Sequence, residues 1–252
     1  MYKIPAKTHF IGKSIVFVPE CHSTNTLATE MSQKGNPEEG TVIITADQTL
    51  GKGQKGNAWL SEPGKNLTFS IIIKPTYLPI RDQFYLTMIT SLALKDFLSS
   101  VLLPKVEIKW PNDIMVEKKK IAGILIENQI QGNSFTHVVV GVGLNVNQVS
   151  FHLQRATSMK MIALKDFDLN DVLDQLCIRF EHWYMQLKEG NKAEIKSTYL
   201  DSLFGRGQRL PFKDKEGSFT GTIEGIDDTG RLITNSEKGI RNFEIKEIQW
   251  EI

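Results

Sequence analysis

Two hydrophobic rhythms alternate along the chain. Apolar residues every three to four positions mark helices, and short alternating or continuous apolar runs mark strands. Residues 14–19 predict a first strand. Ser23-Thr24-Asn25 then precede a helically spaced stretch that runs to Lys34 and is followed by Gly35. That pattern predicts a capped helix closed by a glycine. Residues 41–46 (TVIITA) and 67–73 (LTFSIII) predict buried strands, and the stretch between them has neither period. Residues 81–101 carry Phe84, Leu86, Met88, Ile89, Leu92, Leu94, Phe97, Leu98 and Val101 at helical spacing. Residues 106–110, 114–116, 121–127 and 137–146 predict strands joined by short turns. About six strands, mostly in hairpin order with few helices between them, favour an α+β domain over a doubly wound one.

Residues 168–188 predict a long amphipathic helix stopped by Gly190, and residues 192–203 a second one ending at Gly205. The character then changes. Residues 208–211, 217–226, 231–235 and 239–244 read as short alternating strands with Gly and Asp turns. About 45 residues of this kind make a small barrel. The expected boundary lies near Phe204, giving domains 1–204 and 205–252.

Composition narrows the classes. The length of 252 residues suits one large and one small domain. A formal net charge of +1 gives no global field for a nucleic acid. Cys21 and Cys177 match no zinc or CxxC spacing and read as reduced thiols, which fits a reducing compartment. No apolar run approaches the roughly 18 residues of a spanning helix. The start, Met1-Tyr2-Lys3-Ile4-Pro5, lacks the apolar segment of a signal peptide. A soluble cytoplasmic protein is expected.

Four segments are candidates for chemistry. The loop 51–59 (GKGQKGNAW) formally contains GxGxxG. A strand rather than a helix follows it, which argues against a Rossmann site. Gly64-Lys65-Asn66 likewise fails as a Walker A motif. The glycines still let backbone N–H groups approach an anion, and Lys52 and Lys55 supply charge; a solvated surface loop has the same composition. Lys109-Trp110-Pro111-Asn112-Asp113 ends a strand in a proline-fixed turn, which aims Asn112 and Asp113 at one point or simply forms a hairpin corner. Lys120 opens the next strand and points back towards that corner, unless residues 118–120 are only a solvated turn. Gly141 and Gly143 in a buried strand indicate either a close neighbour or a β-bulge.

In this order and spacing, KWPND (109–113), KKxAGIL (119–125) and GxGxN (141–145) resemble the catalytic domain of biotin–protein ligases. The resemblance runs from about Phe10 to the C-terminus. It implies a class II synthetase-like α+β fold, with helices packed on a mixed, mostly antiparallel sheet, and an SH3-like C-terminal barrel. It implies ATP and biotin as substrates, with Mg²⁺ arriving on ATP and no dedicated metal site. Biotin would attack the α-phosphate, giving biotinyl-adenylate and pyrophosphate, and a carrier lysine would then take the acyl group. The resemblance places Ser23, Thr24, Asn25 and Gln48 at the biotin ring, and makes 51–59 the biotin-binding loop. Gly51, Lys52, Gly53, Gln54, Lys55 and Trp59 belong to that loop, with Lys52 and Gly53 near the carboxylate and the α-phosphate. Lys120 would stand at the carboxylate–phosphate junction, Gly123 would bind biotin through its backbone, and Asn112 and Asn145 would contact the nucleotide. Lys109 joins this binding set. Asp113 would be the acid at the reaction centre, so Lys120, Lys52 and Asp113 carry the catalytic expectation, and residues 148–158 would cover the adenine.

The implied partner is a biotin carboxyl carrier protein or domain; a homodimer is allowed, and no nucleic acid or membrane is called for. The family loop usually carries arginines where this chain has Lys52, Gln54 and Asn57. Many relatives also carry an N-terminal helix-turn-helix. Phe10 here already leads into the first strand, and fewer than about 15 residues cannot form such a domain. A lipoate or octanoate ligase would need a long apolar tunnel in place of Ser23-Thr24-Asn25. A non-catalytic biotin- or nucleotide-binding module is the remaining class. An RNA-binding use of the barrel would want clustered aromatic and basic residues, which it lacks.

Overall fold

The computed structural model describes residues 2–5, 7–152 and 155–251, without the side chain of Lys55. Seven strands form the larger sheet, in the order β1-β2-β3-β7-β6-β5-β4. They are β1 (Ile15–Cys21), β2 (Val42–Gln48), β3 (Leu67–Ile73), β4 (Val106–Lys109), β5 (Asp113–Val116), β6 (Lys119–Gln131) and β7 (Ser134–Leu144). Helix α1 (Thr24–Lys34) connects β1 to β2, and these two strands pair in parallel. Every other pairing in this sheet is antiparallel, and β4 to β7 follow one another as hairpins. The sheet is therefore mixed and mostly antiparallel, as the hairpin order predicts.

Strand alternation sorts the side chains between two faces. Val42, Ile44, Leu67, Phe69, Ile71, Ala122, Ile124, Val138, Val140, Val142 and Leu144 join one large core. Helices α2 (Phe84–Val101), α4 (Leu169–Lys188) and α5 (Lys192–Asp201) contribute Leu86, Ile89, Leu176, Phe180 and Ile195 to the same core. On the opposite face, α1 packs Ala28 against Ile43, Ile72 and Val139. The rest of that face carries mainly small or polar residues, among them Thr68, Ser70, Gly141, Gly143 and Gly123, and it becomes the site.

The ends of α1 differ from expectation. Ser23 occupies the N-cap position but makes no side-chain capping hydrogen bond, and Gln48 Oε1 accepts the Thr24 N–H at 2.9 Å. Gly35 closes the helix in extended backbone at φ −150°, so it is not a left-handed cap. Gly141 and Gly143 do not form a bulge. The register of β7 runs unbroken past them on both sides, and the β6–β7 irregularity lies at Gln129/Ile130. A short helix, α3 (Met159–Ala163), has no counterpart in the pattern because it spans too few residues for a period to register.

The smaller sheet contains β8 (Arg209–Asp214), β9 (Gly217–Ile226), β10 (Leu232–Ser236), β11 (Gly239–Phe243) and β12 (Gln249–Trp250), ordered β11-β10-β9-β8-β12. Phe212, Ile223, Leu232, Phe243 and Ile248 belong to the same continuous core as the large sheet. Trp110, buried at the end of β4, donates its indole N–H to the Gly230 carbonyl at 2.9 Å. Gly230 lies so close to the Phe84 ring that a Cβ there would collide with it. The small sheet thus sits against the corner that carries Lys109 to Asp113.

Candidate active site

Cross-strand register builds the floor of the site. Thr68 pairs with Gly143, Gly143 with Gly123, Gly123 with Asp113, and Asp113 with Lys109. These five residues form one row across β3, β7, β6, β5 and β4, on the face away from the core. Adjacent strands lie about 4.8 Å apart, so the row is roughly 20 Å long. The neighbouring row is Ser70, Gly141 and Leu125. Above these rows lies a cleft of about 550 Å³.

The glycines are explained by what lies on them. A Cβ on Gly141 would collide with the Asn25 carboxamide, and one on Gly143 with the Trp59 indole. A Cβ on Gly123 would press within 3.1 Å of both Lys120 Nζ and Trp59. Of the two readings of this glycine pair, close approach is the one that holds.

One end of the cleft is polar and tightly bonded. Ser70 Oγ donates to Asn25 Oδ1 at 2.6 Å, and Ser70 Oγ and Thr24 Oγ1 lie 2.8 Å apart. Asn25 Nδ2 donates to Glu127 Oε2 at 2.7 Å and to the Leu125 carbonyl. Thr24 Oγ1 lies 3.3 Å from Gln48 Oε1. The Ser23 side chain, free of capping duty, also lines the cleft. These groups hold donors and acceptors in fixed directions, which suits a compact polar head with both kinds of group.

The middle of the row holds the charges. Lys120 Nζ lies 2.6 Å from Asp113 Oδ1 and 5.4 Å from the centre of the Trp59 ring. Lys120 is fixed by its backbone, which donates to the Arg155 carbonyl and accepts from the Thr157 N–H. Asn112 Nδ2 donates to the Ile124 carbonyl at 2.7 Å, which ties the turn to β6. At the far end stands Lys109, its ammonium 5.5 Å from the Trp250 ring centre. Burial pushes the Lys109 pKa below its usual value; Asp113 opposes that shift, and Lys120 and Arg155 add to it.

The glycine-rich loop forms a small hairpin over the cleft. Lys52 bridges Ala58, Gln54–Gly56 make a 3-10 turn, and the Trp59 N–H donates to the Gly51 carbonyl at 2.8 Å. Lys52, Gly53, Gln54, Asn57 and Trp59 line the cleft. The Trp59 indole N–H is buried and has no partner among the described residues. The expected contribution of the Lys55 side chain lies outside the described residues.

Most expected site residues converge: Ser23, Thr24, Asn25, Gln48, Lys52, Gly53, Gln54, Trp59, Lys109, Asn112, Asp113, Lys120 and Gly123 all line the cleft. Gly51 and Asn145 do not. Gly51 packs under the Trp59 carbonyl and the Gln48 amide and serves the loop's fold. Asn145 is buried, and its amide donates to the Thr157 carbonyl at 2.9 Å. It anchors the segment that holds the Lys120 backbone. Within 148–158, Leu153 and Gln154 lie outside the described residues, and no described member lines the cleft. Sequence reasoning missed Thr68, which only register reveals, and a wall from the small sheet formed by Ile245, Lys246, Ile248, Gln249 and Trp250. The aromatic at the end of β12 was the one hint of that wall.

Known proteins resemble this chain in sequence and in fold. The family model described as "Biotin/lipoate A/B protein ligase family" matches residues 18–145, and the model "Biotin protein ligase C terminal domain" matches residues 207–248. The chain is 29% identical to the bifunctional ligase/repressor BirA of Bacillus spizizenii, over 96% of this chain and 76% of that one. It is 28% identical to the biotin–[acetyl-CoA-carboxylase] ligase of Paracoccus denitrificans, over 78% of this chain and 85% of that one. The biotin protein ligase of Aquifex aeolicus, solved with biotin and ATP, superposes with a TM-score of 0.78 at 27% identity, covering 94% of this chain and 98% of that one.

Proposed function

Because the chain belongs to the biotin/lipoate A/B protein ligase family, we propose that it joins biotin to a lysine of a carrier protein, consuming ATP through a biotinyl-5′-adenylate. The single observation that carries the reading is the Lys120–Asp113 pair, set beside a polar pocket on a glycine floor. The biotin head is a ureido ring with one carbonyl and two N–H groups. Ser23, Thr24, Asn25 and Gln48 offer both kinds of partner at the polar end of the cleft. A lipoyl chain offers no matching set of donors and acceptors to these groups.

The first step brings two anions together. A biotin carboxylate oxygen attacks the ATP α-phosphorus, the bond to the β-phosphate oxygen breaks, and pyrophosphate leaves with the electron pair. Lys120 sits where charge accumulates, and such preorganised groups are worth about 2–4 kcal/mol in the transition state. Lys52, on the loop, adds a second cation. Trp59 and the loop cover the reacting centre and keep water from the anhydride. Mg²⁺ would travel with ATP, held mainly on phosphate oxygens.

In the second step a neutral lysine amine attacks the acyl carbon, the bond from that carbon to the AMP phosphate oxygen breaks, AMP leaves with the electron pair, and the nitrogen loses a proton to Asp113 or solvent. Asp113 orients that amine once Lys120 is engaged by the adenylate. The acceptor is a biotin carboxyl carrier protein or domain. Residues 1–204 supply the chemistry, and residues 205–252 serve ATP use or carrier docking. A cytoplasmic setting belongs to this reading; both cysteines are free, and no described helix is long and apolar enough to cross a membrane. An ATP–pyrophosphate exchange assay with biotin or lipoate tests the proposal. Biotin-dependent exchange is expected, and exchange only with lipoate overturns it.

A further inference from the structure

Lys109 and Lys120 stand on the same floor but are held differently. Lys120 is ion-paired with Asp113. The Lys109 side chain has no hydrogen bond or ion pair among the described residues, and its ammonium lies over the Trp250 ring. That ring is braced from two directions. It lies 5.2 Å from Phe212, its partner across β8–β12, and 5.7 Å from Phe204, which follows α5. Beyond it, the Glu251 N–H donates to the Pro211 carbonyl, which fixes the end of the strand. Trp250 therefore blocks one side of Lys109 and leaves its charge facing the cleft that both residues line.

The order of groups along the floor gives this cation a place in the reaction. The polar pocket stands at the Ser70–Gly141 end, Asp113 and Lys120 in the middle, and Lys109 beyond them. In phosphoryl chemistry the attacking and leaving oxygens lie roughly in line. If biotin enters from the polar end, the leaving group departs towards the opposite end. We infer that Lys109 holds the departing pyrophosphate of ATP and that Trp250, supplied by the small sheet, is the positioning residue that keeps Lys109 in place. The inference rests on the adenylation reading above. Burial explains why the site suits an anion: a partly desolvated ammonium gains most from a phosphate partner.

Pyrophosphorolysis of enzyme-bound biotinyl-adenylate isolates this contact, and transfer from the same adenylate to a carrier lysine serves as the control without pyrophosphate. Lys109→Met should raise the KM for pyrophosphate about 10–100-fold, well beyond any change in transfer. Trp250→Leu should raise the same KM about 3–10-fold, and Trp250→Phe, which keeps an aromatic face, should restore most of it. An unchanged pyrophosphate KM in Lys109→Met, or an equal loss in transfer, overturns the pyrophosphate role. A Trp250→Leu protein that matches wild type, or a Trp250→Phe protein as impaired as Trp250→Leu, overturns the positioning role. A wild-type protein that makes no adenylate overturns the functional reading itself, a result distinct from active wild type with an unaffected Lys109→Met.

Discussion

Lys120 Nζ lies 2.6 Å from Asp113 Oδ1, and both side chains remain partly open to the cleft, at 32% and 26% exposure. A fully buried pair would be costly to separate. A partly solvated one can exchange partners, so the ammonium can turn to a phosphate oxygen and leave the carboxylate for an incoming amine. Lys120→Ala should therefore lower pyrophosphate exchange by about 30–1000-fold, corresponding to 2–4 kcal/mol. The thermal midpoint should barely move, because the structural contacts of Lys120 to Arg155 and Thr157 run through its backbone. Near-normal exchange in a folded variant would remove Lys120 from the reaction centre.

Gly143 makes room for the Trp59 indole. Gly143→Ala should push Trp59 and the loop 51–59 outwards without disturbing the strand register. The expected signs are a shifted tryptophan fluorescence maximum, faster proteolysis of the loop, and weaker protection on adding biotin and ATP. Protection equal to wild type would mean that Trp59 does not act as the cover.

Asn25 is bonded on both sides, accepting from Ser70 and donating to Glu127. Asn25→Ala would leave a carboxylate and a hydroxyl short of partners, at a cost of about 1–3 kcal/mol in stability. It should also raise the KM for biotin more than the KM for ATP. An equal rise in both would place Asn25 away from the ring pocket.

Gln54 lines the cleft where the resembling family usually carries an arginine. A charged hydrogen bond to phosphate is worth about 1.5–3 kcal/mol, or one to two decades in affinity. The off-rate of preformed biotinyl-adenylate should therefore fall in Gln54→Arg. If Gln54→Arg leaves it unchanged while Lys55→Ala speeds release, Lys55 already provides that hold.

The sheet and much of this site were legible because strand alternation and special residues leave marks in sequence. Gly141 and Gly143 stand out in an apolar run, and Lys120 falls two strands from Lys109 along the same hairpins. The role of Asn145 was not legible, since its amide is spent on the Thr157 carbonyl across a loop with no pattern of its own. The wall formed by residues 245–250 was hidden for a different reason. It reaches the cleft only through packing of the small sheet on Trp110 and Phe84, more than a hundred residues away in the chain. Ser23 sits where the sequence signals a cap, but its side chain makes no capping bond and lines the cleft instead.

Mass spectrometry of a biotin carboxyl carrier domain incubated with this protein, biotin and ATP tests carrier biotinylation most directly. The expected result is a gain of one biotinyl group on a single lysine, dependent on ATP and lost in Lys120→Ala. An acceptor whose mass stays unchanged with biotin, or rises only when lipoate is supplied, would contradict it.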